Sequence, residues 1–330
     1  MSADGAALGR RLRERDLSAA PAALNVLESS ARDDREQAAA LLAEVAPRAL
    51  GGEAAGHVIG VTGPPGVGKS TLLSALLSCW RSRGRTVALL AVDPSSRRSG
   101  GALLGDRARI EFDSSDHGVL IRSSAAGERL GGIAPATAAA AHALAAAFDV
   151  VVIETVGVGQ GETEIADVAD TVAVIVQPGG GDALQFLKSG IMEIPDVLVV
   201  TKSDLGAIAL STRRELSAAL RSLGSSATRV VAVCALTPTS GIEELVDALA
   251  EHRSRGGLAA RRLQGRRAAA LREFSAEHGE RGLRALGGRA GAQALLALQE
   301  EGLGVPALTA VLERAQARGE SSTERAPGIA

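Results

Sequence analysis

Seven short apolar runs pace the middle of the chain: His57–Val61, Thr86–Val92, Gly118–Arg122, Val150–Ile153, Thr171–Val176, Val197–Val200 and Arg229–Val233. They are rich in β-branched residues and show no alternation with polar ones, which predicts strands buried on both faces, as in a parallel sheet. Between them the apolar positions fall at helical spacing. Leu72, Leu73, Leu76 and Leu77 follow the first run, an Ala-rich stretch spans Pro135–Phe148, and Gly241-Ile242-Glu243-Glu244-Leu245 opens a helix after the last. The alternation predicts an α/β fold, a central mostly parallel sheet flanked by helices.

Outside those runs the pattern changes. Residues 5–50 carry Arg, Glu, Leu and Ala at helical spacing, punctuated by Pro21 and Pro47. Leu24 with Leu27, then Leu41, Leu42 and Val45, predict two or three short helices packed on the main domain. No residue there suggests chemistry, so a solvated appendage and a binding role stay equally open. From about Arg253 onward, Arg261-Arg262, Arg266-Arg267 and long Ala/Leu stretches predict extended helices outside the sheet. Their apolar stripes need a partner surface, either the main domain or a second copy of the chain. The expected division is an N-terminal helical extension over 1–50, a nucleotide-binding domain over 51–252, a C-terminal helical arm over 253–318 and a disordered tail over 319–330.

Candidate chemistry gathers where the runs end. The first leads into Gly63-Pro64-Pro65-Gly66-Val67-Gly68-Lys69-Ser70 and then Thr71-Leu72. This is G-x-x-x-x-G-K-[ST] between a strand and a helix, a loop whose backbone N–H groups can wrap a phosphate chain. Lys69 would reach the β- and γ-phosphates and Ser70 would ligate Mg²⁺. A chance match is the alternative in a chain with 39 glycines, and the flanking strand and helix are the context that argues against it. Asp93, at the tip of the second run, lies where a nucleotide's metal would sit, or else caps a turn. Glu154 ends the fourth run as the acid after a buried strand does in P-loop hydrolases. Thr155 to Gly159 can hinge around a γ-phosphate, and Gln160 can orient a water, though a plain strand-to-helix turn would read the same way. The sixth run enters Thr201-Lys202-Ser203-Asp204, at the place where G proteins carry N-K-x-D. There Asp204 would accept from N1 and N2 of guanine, and adenine would leave that carboxylate unpaired. Cys234-Ala235-Leu236 ends the seventh run, where a backbone N–H meets guanine O6.

Composition narrows the field. A net charge of −2 over 330 residues offers no basic face for nucleic acid. No run of 18 apolar residues occurs, so no membrane span is expected. The N-terminus lacks the order of a secretory signal, and two widely separated cysteines fit a reducing cytoplasmic setting. Among 36 basic residues only Lys69, Lys188 and Lys202 are lysine. Where arginine serves every general purpose, a compact ammonium points to a functional loop.

These strings, together with Ala91-Val92-Asp93-Pro94-Ser95-Ser96, Gly101–Asp106, Glu154-Thr155-Val156-Gly157-Val158-Gly159-Gln160 and the segment from Gly181-Asp182 to Lys188-Ser189-Gly190-Ile191-Met192, closely resemble the MeaB/ArgK family. These are P-loop GTPases of the group that includes the signal recognition particle and nickel-insertion GTPases. The resemblance implies a G-protein chaperone, binding GTP and GDP, for an adenosylcobalamin-dependent acyl-CoA mutase such as methylmalonyl-CoA mutase. It implies a homodimer joined through the C-terminal arm, and a Mg²⁺ shell of Ser70, Asp93, Asp106 and Glu154. Lys69, Glu154, Gln160, Gln185 and Lys188 would be the catalytic set. Gly63 through Thr71, Gly157, Lys202, Asp204, Cys234, Ala235 and Leu236 would hold the nucleotide. The segment Gly179–Lys188 matches one that rearranges on contact with the mutase.

The chain departs from the family pattern at four places. Thr201 replaces Asn, removing an amide that bridges to the P-loop, so weaker nucleotide binding is expected. Cys234 replaces Ser, Gly161 replaces a common Ser, and Ala183 replaces a common acid. Two rival functions remain. A nickel-type metal-insertion GTPase would need clustered soft or imidazole ligands, whereas His57, His117, His142, His252 and His278 read as scattered. A small-molecule kinase would need an acceptor pocket with a base, and no such segment stands out.

Overall fold

The computed structural model describes residues 4–29, 31–93, 110–125, 133–155, 161–179, 195–222, 224–225 and 227–323. It describes the backbone alone at 32, 93, 124–125, 161–163 and 319–323. Four helices precede the first strand, where two or three were expected: α1 (Gly5–Arg13), α2 (Ala20–Glu28), α3 (Arg32–Glu44) and α4 (Pro47–Leu50). Local chemistry sets their ends. The Asp4 carboxylate accepts from Ala7 N at 2.9 Å to cap α1, and prolines sit in the first turns of α2 and α4.

Next come β1 (His57–Thr62), α5 (Lys69–Ser82), β2 (Val87–Asp93), β3 (Val119–Ala125), α6 (Pro135–Ala145), β4 (Val150–Glu154) and α7 (Gly161–Val168). The sheet continues with β5 (Thr171–Val176), β6 (Val197–Val200), α8 (Ala207–Ser222), β7 (Arg229–Ala232) and α9 (Ile242–Ser254). Three helices follow: α10 (Leu258–Ala285), broken at Gly279, α11 (Gly288–Ala297) and α12 (Val305–Thr323).

The chain divides into two compact units, Met1–Ala54 with Ala259–Ala330, and Ala55–Leu258. In the second unit the seven strands run in the order β3-β2-β4-β1-β5-β6-β7, every pairing parallel. Register pairs Val61 with both Glu154 and Ala173, so β1 is the central strand. On one face Ile59, Val61, Val152 and Ile175 pack with Leu72, Leu73 and Leu76 of α5 and Leu245 and Leu249 of α9. Each such fully buried side chain contributes about 1.5–3 kcal/mol. On the other face Gly60 lets α7 approach closely. A Cβ there would fall 2.5 Å from Cγ1 of Ile165.

At the N-terminal end of the sheet, aspartates accept from backbone N–H groups of neighbouring strands: Asp149 from Thr86, Asp170 from Val58 and Asp196 from Val172, each at 2.8–2.9 Å. Here the expectation of scattered histidines fails for one pair. His57 Nε2 lies 2.8 Å from Thr171 Oγ1, which lies 2.9 Å from His252 Nδ1, and His252 Nε2 lies 3.0 Å from Asp196 Oδ1. A hydroxyl separates the two imidazoles, so the group is a hydrogen-bonded chain holding β1, β5 and α9 together.

The first unit has its own core of Leu271, Phe274, Leu283, Leu296, Leu308 and Leu312, and α3 packs against α12. The N-terminal helices therefore share a unit with the C-terminal ones, an arrangement the one-dimensional pattern did not anticipate. Buried Arg266 forks onto Glu53 at 3.0 and 2.9 Å, and buried Arg262 donates to Ala54 O at 2.7 Å. The planar guanidinium fork suits this paired role.

Candidate nucleotide site

Strand β1, a glycine loop and α5 build the first part of the site. Gly63, Gly66 and Gly68 have φ of 152°, 77° and 99°. Gly63 is also confined, since a Cβ there would stand 2.4 Å from Ile175 O. The loop thus needs glycine for conformation and for space. Lys69 opens α5 and is buried. Its Nζ donates to Gly63 O at 2.7 Å and Pro64 O at 3.1 Å, which places the ammonium within the span of its own loop. The first N–H groups of α5 have no helical acceptor and present the positive end of a 14-residue helix.

The second part lies at the end of β6. Thr201 N donates to Val176 O at 2.9 Å and Ser203 N to Val233 O at 3.0 Å, fastening the segment between the ends of β5 and β7. The expectation that Thr201 gives up the bridge to the P-loop is overturned. Its buried hydroxyl lies 2.8 Å from Val67 O, in the middle of the glycine loop, and 3.1 Å from Val176 O. The backbone bond to Val176 holds Thr201 close enough for a short side chain to reach the loop. Lys202 adopts a left-handed backbone (φ 53°, ψ 44°), and its Nζ donates to Gln177 Oε1 at 2.9 Å. Asp204 sits exposed in the 3-10 turn that follows. Cys234 pairs through its backbone with Ser240, both bonds at 2.9–3.0 Å, and is buried, while Leu236 is exposed.

The third part is the carboxylate. Register sets Glu154 beside Val61, on the α5 face of the sheet, and it is buried. Buried Glu154 and the Ser70 hydroxyl at the start of α5 are hard oxygen donors, which suit Mg²⁺ rather than a softer metal. Asp93 ends β2, but its side chain is outside the described residues, as are Asp106, Gly157, Gln160, Gln185 and Lys188.

The structure therefore brings Gly63 through Thr71, Glu154, Lys202, Asp204 and the 234–236 segment to the C-terminal ends of neighbouring strands, where α/β sheets bind ligands. Sequence reasoning gave no role to Gln177 or to the Thr201 hydroxyl. The lysine census was the available signal for the first, because a polar residue at the end of β5 faces one of only three lysines. Among the described residues, neither cysteine joins a ligand cluster. Cys79 lies near the C-terminal end of α5, where burial pushes its thiol pKa up. The metal-capable grouping among the described residues, Glu277 with His278 and Glu313, belongs to the helical unit and holds no cysteine.

A glycine loop between a central parallel strand and a buried lysine-headed helix, tied to a base-side segment one strand beyond its neighbour, defines a P-loop nucleotide hydrolase. Comparison with known proteins takes this further. Residues 19–283 match the family described as methylmalonyl-CoA mutase-associated GTPase MeaB. A protein of Pyrococcus abyssi named as a GTPase is 42% identical over 251 residues, 74% of each chain. The mouse methylmalonic aciduria type A homolog, a mitochondrial protein by its name, is 43% identical over 157 residues, 47% of this chain and 38% of its own. The crystal structure of an LAO/AO transport system kinase superposes with a TM-score of 0.65 at 28% identity, covering 95% of this chain and 98% of that one. The chain belongs to the family of methylmalonyl-CoA mutase-associated GTPases, and it is a guanine-nucleotide-binding GTPase.

Proposed function

We propose that this GTPase is a chaperone for an adenosylcobalamin-dependent acyl-CoA mutase, methylmalonyl-CoA mutase or a relative, and that GTP hydrolysis times cofactor delivery and client protection or reactivation. One observation carries the reading. The family match runs from residue 19 to 283 and so includes helices before and after the nucleotide-binding unit. A likeness confined to the P-loop unit would speak only for hydrolysis. One that extends into the helices speaks for shared partners. The names of the mouse and Caenorhabditis elegans relatives, both methylmalonic aciduria type A homologs, point the same way.

In this reading the glycine loop and Lys69 bind the β- and γ-phosphates, and Thr201 to Asp204 receive guanine. Ser70 and Glu154, with Asp93 and Asp106, hold Mg²⁺, which when bound neutralises charge on the phosphate oxygens. Glu154 and Gln160 orient the attacking water. Gln185 and Lys188 stabilise the transferring phosphoryl group once a client fixes their segment, and such an added cation is worth about 10³–10⁵ in rate. The protein works in the cytoplasm as a homodimer joined through the helices after Arg253. Leu298, 82% exposed, gives that unit an outward apolar residue.

The test is a pull-down of the native mutase with and without a non-hydrolysable GTP analogue, paired with phosphate-release assays. Nucleotide-dependent capture and mutase-accelerated hydrolysis are expected, the acceleration being lost in Lys188→Ala. Capture indifferent to nucleotide, with hydrolysis unmoved by the mutase, would overturn the reading. The kinase name of the solved relative supports a second reading. Phosphate appearing on a metabolite rather than in water would select it.

A further inference from the structure

We propose that Gln177 is a positioning residue for guanine recognition, acting by holding Lys202. This rests on the reading of Thr201 to Asp204 as the base-recognition segment. Gln177 is the first residue past β5 and belongs to none of the nucleotide motifs. β5 and β6 pair in register through Val176 and Val200, so Gln177 and Thr201 leave the sheet side by side. Lys202 would continue the strand alternation were its backbone extended. Instead it turns left-handed, at φ 53° and ψ 44°, a conformation uncommon outside glycine. That turn brings its Nζ to Gln177 Oε1 at 2.9 Å.

The chemistry of the pair fits a positioning role. Lysine is a flexible four-carbon stem with three rotatable donors, so an exposed one loses much rotamer freedom when a ligand packs on it. An acceptor on a rigid strand end removes part of that freedom in advance, and preorganisation strengthens binding without adding a contact to the ligand. The acceptor is a neutral amide that takes one N–H, which leaves Lys202 two further donors. Gln177 is also tied to the phosphate side. Val176, its chain neighbour, shares the Thr201 hydroxyl with Val67 of the glycine loop. The amide thus sits on the frame that sets the spacing between base and phosphates.

The experiment measures release of a fluorescent GDP analogue, and KM and kcat for GTP, in the full-length protein. Gln177→Leu removes the acceptor at similar volume, Gln177→Ala is a second variant that removes it, and Gln177→Glu keeps it. Release about 3–10-fold faster is expected for the Leu and Ala variants. KM should rise by a similar factor while kcat moves less than twofold. Gln177→Glu should stay within twofold of wild type. In a Lys202→Ala background, Gln177→Leu should add nothing, because the group it acts through is gone. Wild-type release in both acceptor-free variants, or an undiminished effect in the Lys202→Ala background, overturns the proposal. The underlying reading fails separately, if Lys202→Ala and Asp204→Ala both bind guanine nucleotides as wild type does.

Discussion

Single atoms decide much of this site. Gly63 carries a positive φ and stands where a methyl group would meet Ile175 O at 2.4 Å. Gly63→Ala is therefore expected to abolish nucleotide binding, measured by titration calorimetry, and to lower the melting temperature, since a backbone oxygen cannot swing aside. Lys69→Ala should retain the fold and lose about 10²–10³ in hydrolysis rate, the range for removing one donor aimed at developing charge. Thr201 allows a finer comparison. Thr201→Val keeps its shape but takes the hydroxyl away from the Val67 carbonyl, while Val176 O keeps its backbone bond from Thr201 N, at a cost of about 1–3 kcal/mol in chemical denaturation. Thr201→Ser keeps the hydroxyl and should stay close to wild type. At this scale the turn of the glycine loop into α5 was legible in the sequence, because its motif states a local geometry. It could not foresee the Thr201 bridge, which depends on how near β6 brings a short side chain to a loop 134 positions away.

Elements read differently. All seven strands were legible, because burial on both faces leaves an uninterrupted apolar run that no surface strand shows. β5 and β6 match their runs to the residue, and the other five have ends that moved by one to three residues, as with β3, which runs to Ala125 where the pattern stopped at Arg122. The N-terminal helices were harder, and four appear where the stripes suggested two or three. The one-turn α4 is set by Pro47 and by Gly51 in the left-handed conformation, not by periodicity. Helix α5 is a suitable place to measure how firmly the phosphate loop is anchored. Leu73 is fully buried in the cluster shared with Ile59 and Val61. Leu73→Ala should cost about 2–5 kcal/mol in denaturant unfolding. Nucleotide affinity measured below the transition should fall far less than it does in Gly63→Ala, because the loop backbone keeps its own conformation.

At the scale of the whole molecule, the grouping of residues 1–54 with 259–330 could not be read from local pattern, since it joins segments from opposite ends of the chain. That unit carries a charge with a measurable signature. Burial pushes the pKa of Glu273 up, opposed mainly by the Thr309 hydroxyl that donates to it at 3.2 Å. A carboxyl with a raised folded pKa binds its proton more tightly in the folded state than in the unfolded one. Its ionisation therefore removes stability as pH climbs from the ordinary 4.5 through the raised value. Glu273→Gln is expected to raise the melting temperature of the helical unit by about 1–3 °C at pH 7. The gain should vanish when calorimetry is repeated well below pH 4.5, where wild type carries the proton in both states.

The strand order also fixes a timetable for synthesis. Strand β1 lies at the middle of the sheet, and its neighbours are β4 and β5, whose partners for His57 and Ile59 are Val150 and Thr171. A growing chain on the ribosome therefore exposes its central strand, with the phosphate loop attached, for roughly a hundred residues before either flank exists. At about 5–20 residues per second that interval lasts some 5–20 seconds. The segment that defines the enzyme is thus the one most in need of shelter while the enzyme is being made.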